Sequence, residues 1–454
     1  MEKKLDITQS LNLAVEKQKE GKLYEAEFIY KKILEKDPNN SNALHLLGLI
    51  AYQSRNYEKA INLIKQAIQL KPHIAIYYGN LGMVYDIMDK EEDSVKNFKK
   101  ALEINPQYEN SHLAYYNLGI YLANRGKLWE ALECYNKAIE INKNFFDAHW
   151  NKSLILLILK KFEEGWKEYE YRFKKKNPTD SRIFNKPKWN GSYLKGKKIL
   201  ILSEQGFGDN IQFVRYIPLV KERGGYVILE CKKELIKLFE NFSGIDELTE
   251  KKDNTIPNVD FNFYIHLMSL PKIFNTNLNN LPNKVPYLNA NPKTVEKFKN
   301  KFNTESFKIG IVWAGNPNQE NDKNRSTTFK NFKILKEIPK VQLFSLQKGE
   351  ASQQLNDDEI INHAEDIKNF SDTAAFIQNL DLIISVDTSV SHLAGAMGKP
   401  VWLLLSYSAD WRWFLNKENS PWYPTMRLFR QKKAGDWDSL FKQVFHELKK
   451  ILET

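Results

Sequence analysis

Leu382-Ile-Ile-Ser-Val-Asp-Thr-Ser-Val-Ser-His-Leu-Ala-Gly-Ala-Met-Gly398 decides the fold of the second half of this chain. Five apolar or small residues without polar alternation read as a strand covered on both faces, the kind found in parallel sheets. The run ends at Asp387, Thr388 and Ser389 start a helix, and Gly398-Lys-Pro400 stops it. The first turn of such a helix offers free N–H groups, hydroxyls and a partial positive charge to a ligand phosphate. The same residues also serve as a plain helix cap.

Working outward, similar units recur. Lys308-Ile-Gly-Ile-Val-Trp-Ala-Gly-Asn316 is a strand ending in a glycine turn, and Val341 to Leu346 and Val401 to Leu405 are further strands of the same Rossmann-like set. An earlier set opens at Lys198-Ile-Leu-Ile-Leu-Ser203, followed at once by Glu204-Gln-Gly-Phe-Gly-Asp-Asn210, then Tyr226 to Cys231 and Phe261 to His266. Gly206-Phe-Gly208 lacks the third glycine of a dinucleotide fingerprint. Asp209, however, stands at the mouth of the first strand, where active sites of open α/β sheets sit. It reads either as a catalytic carboxylate or as a helix cap. Two such sets imply a cleft between two domains.

The N-terminal part is different. Pro38, Pro72 and Pro106 stand 34 residues apart, the period of the tetratricopeptide (TPR) unit, whose helix pairs stack into a solenoid. Leu13, Leu47, Leu81 and Leu118 share one position of the first helix, and the small Ala14, Gly48, Gly82 and Gly119 follow them. Ala26, Ala60, Ser94 and Ala131 face these from the second helix, while Tyr30, Ile64, Phe98 and Tyr135 are expected to fill the core between repeats. A three-residue insertion near Glu109 to Leu113 displaces the fourth unit. A fifth, divergent unit with Ser153, Gly165 and Tyr169 carries the solenoid to about Arg172. Immediately before the repeated leucine stand Asn12, Leu46, Asn80 and Asn117, with Asn151 in the fifth unit. A row of amides holds a peptide backbone without reading its side chains; the alternative is local helix contacts. The row resembles the asparagine ladder in the superhelix of the eukaryotic O-linked N-acetylglucosamine transferase.

Composition narrows the class. The chain has 454 residues, is 42% apolar and carries a net charge of +11, enough for two or three soluble domains. The excess is spread out, 28 basic against 24 acidic residues over 1–176 and 39 against 32 in the rest. With Lys174 to Lys176 as its one basic run, the chain lacks the stripe that nucleic-acid binding favours. Cys134 and Cys231 make neither a disulfide framework nor a metal cluster, which suits a reducing cytoplasm. Met1 to Ser10 lacks an apolar leader segment and no run approaches a membrane span. A cytoplasmic protein is expected.

Gly206-Phe-Gly-Asp209, Trp313-Ala-Gly-Asn316, Asp322 to Ser326, Ser345-Leu-Gln-Lys-Gly349, Asp381 to His392, Asp410-Trp-Arg-Trp413 and Ser420-Pro-Trp-Tyr-Pro424 together resemble the bacterial heptosyltransferase-type glycosyltransferases of family 9, in a TPR-fused branch. The resemblance spans essentially the whole chain. It implies a TPR solenoid over 1–176 (four to five repeats), a linker over 177–196, and a GT-B enzyme of two Rossmann-like domains, an acceptor domain over 197–304 and a nucleotide-sugar domain over 305–454. It implies inverting, metal-independent transfer with a nucleotide sugar as co-substrate and no other cofactor. Carried over, Gly208 and Asp209 are the glycine-aspartate pair, Asp209 being the base for the acceptor hydroxyl. Arg325, or else Lys323, is the cation on the diphosphate. Gly315, Asn316 and Ser326 border the donor. Asp387, Thr388, Ser389 and His392 form the phosphate-binding helix start, and Lys348 is either a second cation or a solvated loop lysine.

The tryptophans of 410–413 and 421–424 read either as a sugar-site wall or as core. Asp436-Trp-Asp438 has the form of a metal-binding triplet, but it opens a helix and reads as a cap. The expected activity is sugar transfer from a nucleotide donor onto Ser or Thr of a polypeptide held by Asn12, Asn80, Asn117 and Asn151, a layout similar to flagellin-modifying enzymes. The alternatives are transfer to a surface glycan or lipid-linked sugar, and a non-catalytic scaffold.

Overall fold

Helices in pairs open the chain: α1 (Ile7–Lys19) and α2 (Leu23–Lys36), α3 (Ser41–Gln53) and α4 (Tyr57–Leu70), α5 (Ala75–Ile87) and α6 (Glu91–Ile104), α7 (Ser111–Asn124) and α8 (Leu128–Ile141), α9 (Phe146–Ile158) and α10 (Phe162–Tyr169). The computed structural model describes residues 6–253, 255–319, 321–355 and 360–453, so Met1 to Leu5 of the charged N-terminus lie outside the described residues. Two compact units emerge, Met1–Lys152 and Ser153–Thr454.

In the first unit the small residues do what their spacing predicts. A Cβ on Gly48 would stand 2.8 Å from Ile64, one on Gly82 2.8 Å from Phe98, and one on Gly119 2.6 Å from Tyr135. Each glycine therefore admits the large side chain of its own partner helix. The bend between the paired helices takes a left-handed residue every time: Gly21, Arg55, Asp89 and Gly126, with Lys160 at the equivalent place in the chain's next pair. The loop before α7, in which the insertion falls, has a packing role. It carries Tyr108, buried, onto Gly79, where any side chain would collide with the phenol ring.

In the second unit two parallel sheets follow one another. The first contains β1 (Lys198–Leu202), β2 (Tyr226–Cys231), β3 (Glu247–Glu250) and β4 (Phe263–His266) in the order β3-β2-β1-β4. The second contains β5 (Phe307–Val312), β6 (Val341–Ser345), β7 (Ile361–Asn362), β8 (Leu382–Val386), β9 (Val401–Leu405) and β10 (Met426–Arg430) in the order β10-β9-β8-β5-β6-β7. Registers such as Ile199↔Val227 and Ile309↔Leu382 are in parallel throughout. This is an N-terminal helical repeat region followed by two parallel α/β sheets, an arrangement consistent with GT-B. The central strands β8 and β9 are buried at every residue, which is why their runs are uninterruptedly apolar. β3, β7 and β10 were not anticipated; all three are edge strands, β3 and β7 short and partly exposed, β10 largely buried but interrupted by Arg427 and Arg430. The segment before β1 lies along β4, where Trp189 is buried and donates its backbone N–H to Tyr264 O at 2.8 Å.

In each sheet the strand order reverses beside its first strand, between β1 and β4 and between β5 and β8. Crevices outside the carboxyl ends of strands at such reversals are where open α/β sheets take ligands.

Candidate active site

Both reversal points carry the motifs. β1 leads through Glu204-Gln205-Gly206 into α11 (Phe207–Phe213), and β8 leads through Asp387-Thr388 into the helix Ser389–Ala396. The two helix starts touch: a Cβ on Gly208 would meet His392 Cδ2 at 2.8 Å and Ser389 Cα at 3.5 Å. Glycine at 208 is what lets the two halves close there.

Asp209 is the third residue of α11, and Gly206 is its N-cap. Asp209 Oδ2 accepts the Gly206 N–H at 2.8 Å, and Oδ1 is paired with Arg412 Nη2 from the second half. Capping and site geometry thus coexist in one carboxylate. Burial pushes its pKa above the ordinary value, against the Arg412 charge and the Gly206 N–H, which pull it down.

Arg412 is the organiser that sequence reasoning missed. It donates from Nε to Gln212 Oε1 at 2.6 Å and from Nη1 to Asp410 Oδ1 at 2.8 Å as well as to Asp209. The 410–413 tetrad was read for its tryptophans; the signal overlooked was the arginine between them. Trp411, Trp413, Trp422 and Tyr423 are all buried, so these aromatics form core. Trp413 also has a polar task, donating Nε1–H to Asp387 Oδ2 at 2.8 Å.

Asp387 is pushed up to about 6, first by burial and then by Asp410; Trp413, Arg325 and Arg412 oppose the shift. His392 lies with Nε2 3.7 Å from Asp387 Oδ1 and Nδ1 2.9 Å from Tyr423 Oη. Burial, then the charges of Arg412, Arg215 and Arg325, holds its pKa well below the usual histidine value, so the ring is neutral at pH 7. Thr388 Oγ1 sits 3.1 Å from Ser385 Oγ.

Of the two cations considered for the diphosphate, Lys323 is exposed and Arg325 turns inward. Arg325 donates Nε to Asp322 Oδ1 at 3.0 Å and Nη1 to Asp387 O at 3.2 Å. Its Nη2 has no hydrogen-bond partner among the described residues and crowds the place where a Cβ of Gly315 would be. Ser326 Oγ accepts the Gly315 N–H at 2.9 Å and donates to Asp322 at 2.9 Å. Asn316 closes its own turn, accepting from the Asn318 N–H at 3.1 Å. Lys348 stands apart, its ammonium on the carbonyls of Ala364 and Ile367 at 2.5 and 2.9 Å. Asp436 caps the helix Trp437–Leu452 by accepting the Ser439 N–H at 3.0 Å.

In the first unit, Asn80 Nδ2 lies 2.8 Å from His45 Nε2, and Asn151 Nδ2 donates to Tyr116 Oη at 3.2 Å. Each reaches back to the preceding repeat. Asn12 is exposed and Asn117 half-exposed.

Residues 368–423, from the start of the Phe370–Gln378 helix through Arg412 to Tyr423, match glycosyltransferase family 9 (heptosyltransferase). Residues 72–144 match the tetratricopeptide repeat, and residues 19–79 match anaphase-promoting complex, cyclosome, subunit 3. Matches to the tetratricopeptide repeat and to glycosyltransferase family 9 thus stand in one chain, the first before the second. It is similar to Protein FlbA of Caulobacter vibrioides, 24% identical over 440 residues that cover 90% of this chain and 72% of that one. A Dictyostelium discoideum STIP1 homolog is 36% identical over 76 residues, 16% of this chain and 14% of that one. The solved structure of MamA, 27% identical with a TM-score of 0.31, covers 35% of this chain and 91% of its own. A family 9 domain implies a nucleotide-sugar donor. Among the described residues no helix is long and apolar enough to cross a membrane.

Proposed function

We propose that this protein takes a sugar from a nucleotide-sugar donor, bound at the β5/β8 reversal, and transfers it with inversion to a hydroxyl of a polypeptide held along the repeats, in the cytoplasm. The observation carrying this reading is the juxtaposition across Gly208. On one side stands Asp209, a buried carboxylate of raised pKa; on the other is a helix start beside Arg325, whose Nη2 has no hydrogen-bond partner among the described residues. In the reaction, Asp209 takes the proton of the acceptor hydroxyl as its oxygen attacks the anomeric carbon. The bond from that carbon to the diphosphate breaks, and the electron pair leaves with the nucleoside diphosphate. Arg325 and the N–H groups at the start of the Ser389–Ala396 helix supply the counter-charge, so the proposal needs no metal. On this reading the half around the first sheet, roughly 197–304, takes the acceptor and the half from about 305 takes the donor.

The polypeptide acceptor is supported by the chemistry of the repeats. α3, α5 and α7 carry one charged residue between them, Asp86, whereas α4, α6 and α8 carry fourteen. These three first helices therefore offer amide, tyrosine and aliphatic side chains, suited to a backbone more than to a charged tail.

Thermal melting with a panel of nucleoside diphosphates and nucleotide sugars tests the donor. A ligand at a hundredfold excess over its Kd stabilises by about 2.7 kcal/mol. One nucleotide is expected to raise the melting temperature of the wild type and to lose that effect in Arg325→Ala and Thr388→Ala. With the donor identified, Asp209→Asn is expected to lower turnover by roughly 10²–10⁴-fold. Full turnover in that variant would remove Asp209 as the base.

A further inference from the structure

Gln205 stands at φ +59°, a left-handed conformation that a side chain rarely adopts without outside support. It is the middle residue of the loop that delivers Asp209. Support comes from a segment that the sequence pattern assigns to the last repeat. Tyr169, at the end of α10, accepts Gln205 Nε2–H on its hydroxyl at 3.0 Å. Three residues on, Arg172 grips Glu204 with a two-pronged bond, Nε to Oε2 at 2.8 Å and Nη2 to Oε1 at 2.9 Å.

Every donor of the Arg172 guanidinium is used. Nη2 also reaches Ser269 Oγ at 2.7 Å, and Nη1 reaches Glu170 Oε1 at 2.8 Å and Tyr169 O at 3.1 Å. Both Arg172 and Glu204 side chains are fully buried. Glu204 accepts the Met268 N–H at 3.2 Å as well, and its own carbonyl accepts Asn210 Nδ2–H at 3.1 Å. Lys232 holds the Gln205 carbonyl at 3.0 Å.

The same segment also meets the other half of the site. Trp166 stands edge-on to Trp411 with centroids 5.4 Å apart, Tyr169 lies 6.4 Å from Trp411, and Phe162 packs on Phe414 at 5.9 Å. Trp411 and Phe414 flank the turn that carries Arg412, the partner of Asp209. One element thus braces both the loop before Asp209 and the turn behind its counter-ion.

We propose that Tyr169 and Arg172 are positioning residues of the transfer reaction: the Phe162–Phe173 segment sets the Glu204–Gln205–Gly206 loop so that Asp209 meets the acceptor hydroxyl. This rests on the transferase reading above. It separates two tasks by place, since the donor phosphates belong to the second sheet and the hydrogen bonds of the brace act on the loop of the first.

Tyr169→Phe removes the hydroxyl that holds Gln205 and keeps the ring. Paired Arg172→Met/Glu204→Met removes both fully buried charges together, while Glu170, the second carboxylate on Arg172, keeps Lys188 at 2.6 Å. The probe is the nucleotide sugar that stabilises the wild type in the melting panel, followed by release of its nucleoside diphosphate. Both variants are expected to melt near the wild type and keep its donor KM, while kcat falls at least tenfold; amide exchange at Gln205 and Gly206 accelerates. Wild-type kcat in variants with unchanged loop exchange would overturn the proposal, as would a kcat loss matched by equal loss of donor affinity and melting temperature. If the wild type itself releases no nucleoside diphosphate, the transferase reading fails. Loop exchange then decides the brace alone, unchanged protection in both variants overturning it.

Discussion

The repeats and the α/β unit use charge in opposite ways. In the repeats ion pairs lie on the surface, as with Arg125 and Glu91 at 3.2 Å with 39% and 50% of their side chains exposed. Cohesion there comes from glycines and alanines facing large side chains. In the α/β unit, Arg172–Glu204 is exposed at 0% on both sides and Arg182–Glu230 at 4% and 0%. These two pairs are buried and hold together segments far apart in the chain. The lesson is that the solenoid can lose a surface pair at little cost, whereas the site half depends on cations that arrive from before its first strand.

Arg172→Met alone breaks that dependence most severely. It leaves Glu204 buried with its cation gone, and such a loss costs about 3–5 kcal/mol. Urea unfolding of the full chain is expected to show it. A chain starting at Lys197 loses the partners of both Glu204 and Glu230, and is expected not to yield a folded, donor-binding domain. Recovery of a stable fragment with wild-type donor affinity would end the contrast.

Asp387 sharpens the comparison through pH. Its folded pKa, about 6, lies above the unfolded value of about 3.9, so folding favours the protonated form. Its contribution is fully present below about pH 4 and is lost as pH rises through 6. Asp387→Asn imitates the protonated acid and still offers Trp413 an acceptor. The stability gap between variant and wild type is therefore expected to grow in the variant's favour from pH 4 to 6, by on the order of 2–3 kcal/mol, and to level off above. A gap independent of pH would mean that Asp387 does not titrate in this window.

Gly119→Ala probes the other kind of cohesion. Its new Cβ would stand 2.6 Å from the Tyr135 ring, and the ring is buried between helices with little room to move. Overpacking of this sort costs about 1–3 kcal/mol. The measurement is the chemical denaturation midpoint of the full chain.

What could be read from the sequence follows the same division. Gly48, Gly82 and Gly119 and their partners Ile64, Phe98 and Tyr135 were legible because a 34-residue period repeats one packing solution. The buried strands β1, β5, β8 and β9 were legible because burial on both faces leaves continuous apolar runs. Gly208, Asp209, Asp387 and His392 were reachable from motifs at strand ends, and the structure does bring them together. Arg412 was not, because it meets Asp209 across 203 residues and nothing local marks a side chain chosen for a distant partner. Arg172 was hidden differently: it continues a repeat pattern, and its use against Glu204 depends on how α10 docks. Edge strands β3 and β7 escaped because short, partly exposed strands look like loops, and β10 because Arg427 and Arg430 break its apolar run.

The smallest effect completes the contrast. Glu91→Gln removes the carboxylate that Arg125 contacts with both Nη1 and Nη2, at 3.2 and 3.4 Å. On geometry alone the pair resembles the fork between Arg172 and Glu204. The difference lies in solvent: water replaces the lost partner, and Arg125 keeps its stacking over the Tyr121 ring at 3.6 Å. Exposed pairs are worth about 0–1 kcal/mol and weaken with salt. Glu91→Gln is therefore expected to shift unfolding by less than about 1 kcal/mol, and by still less at high ionic strength, while the Arg172→Met loss persists in salt. Equal losses for the two variants would mean that burial does not separate the regions, and the dependence of the site half on its preceding segment would need another cause.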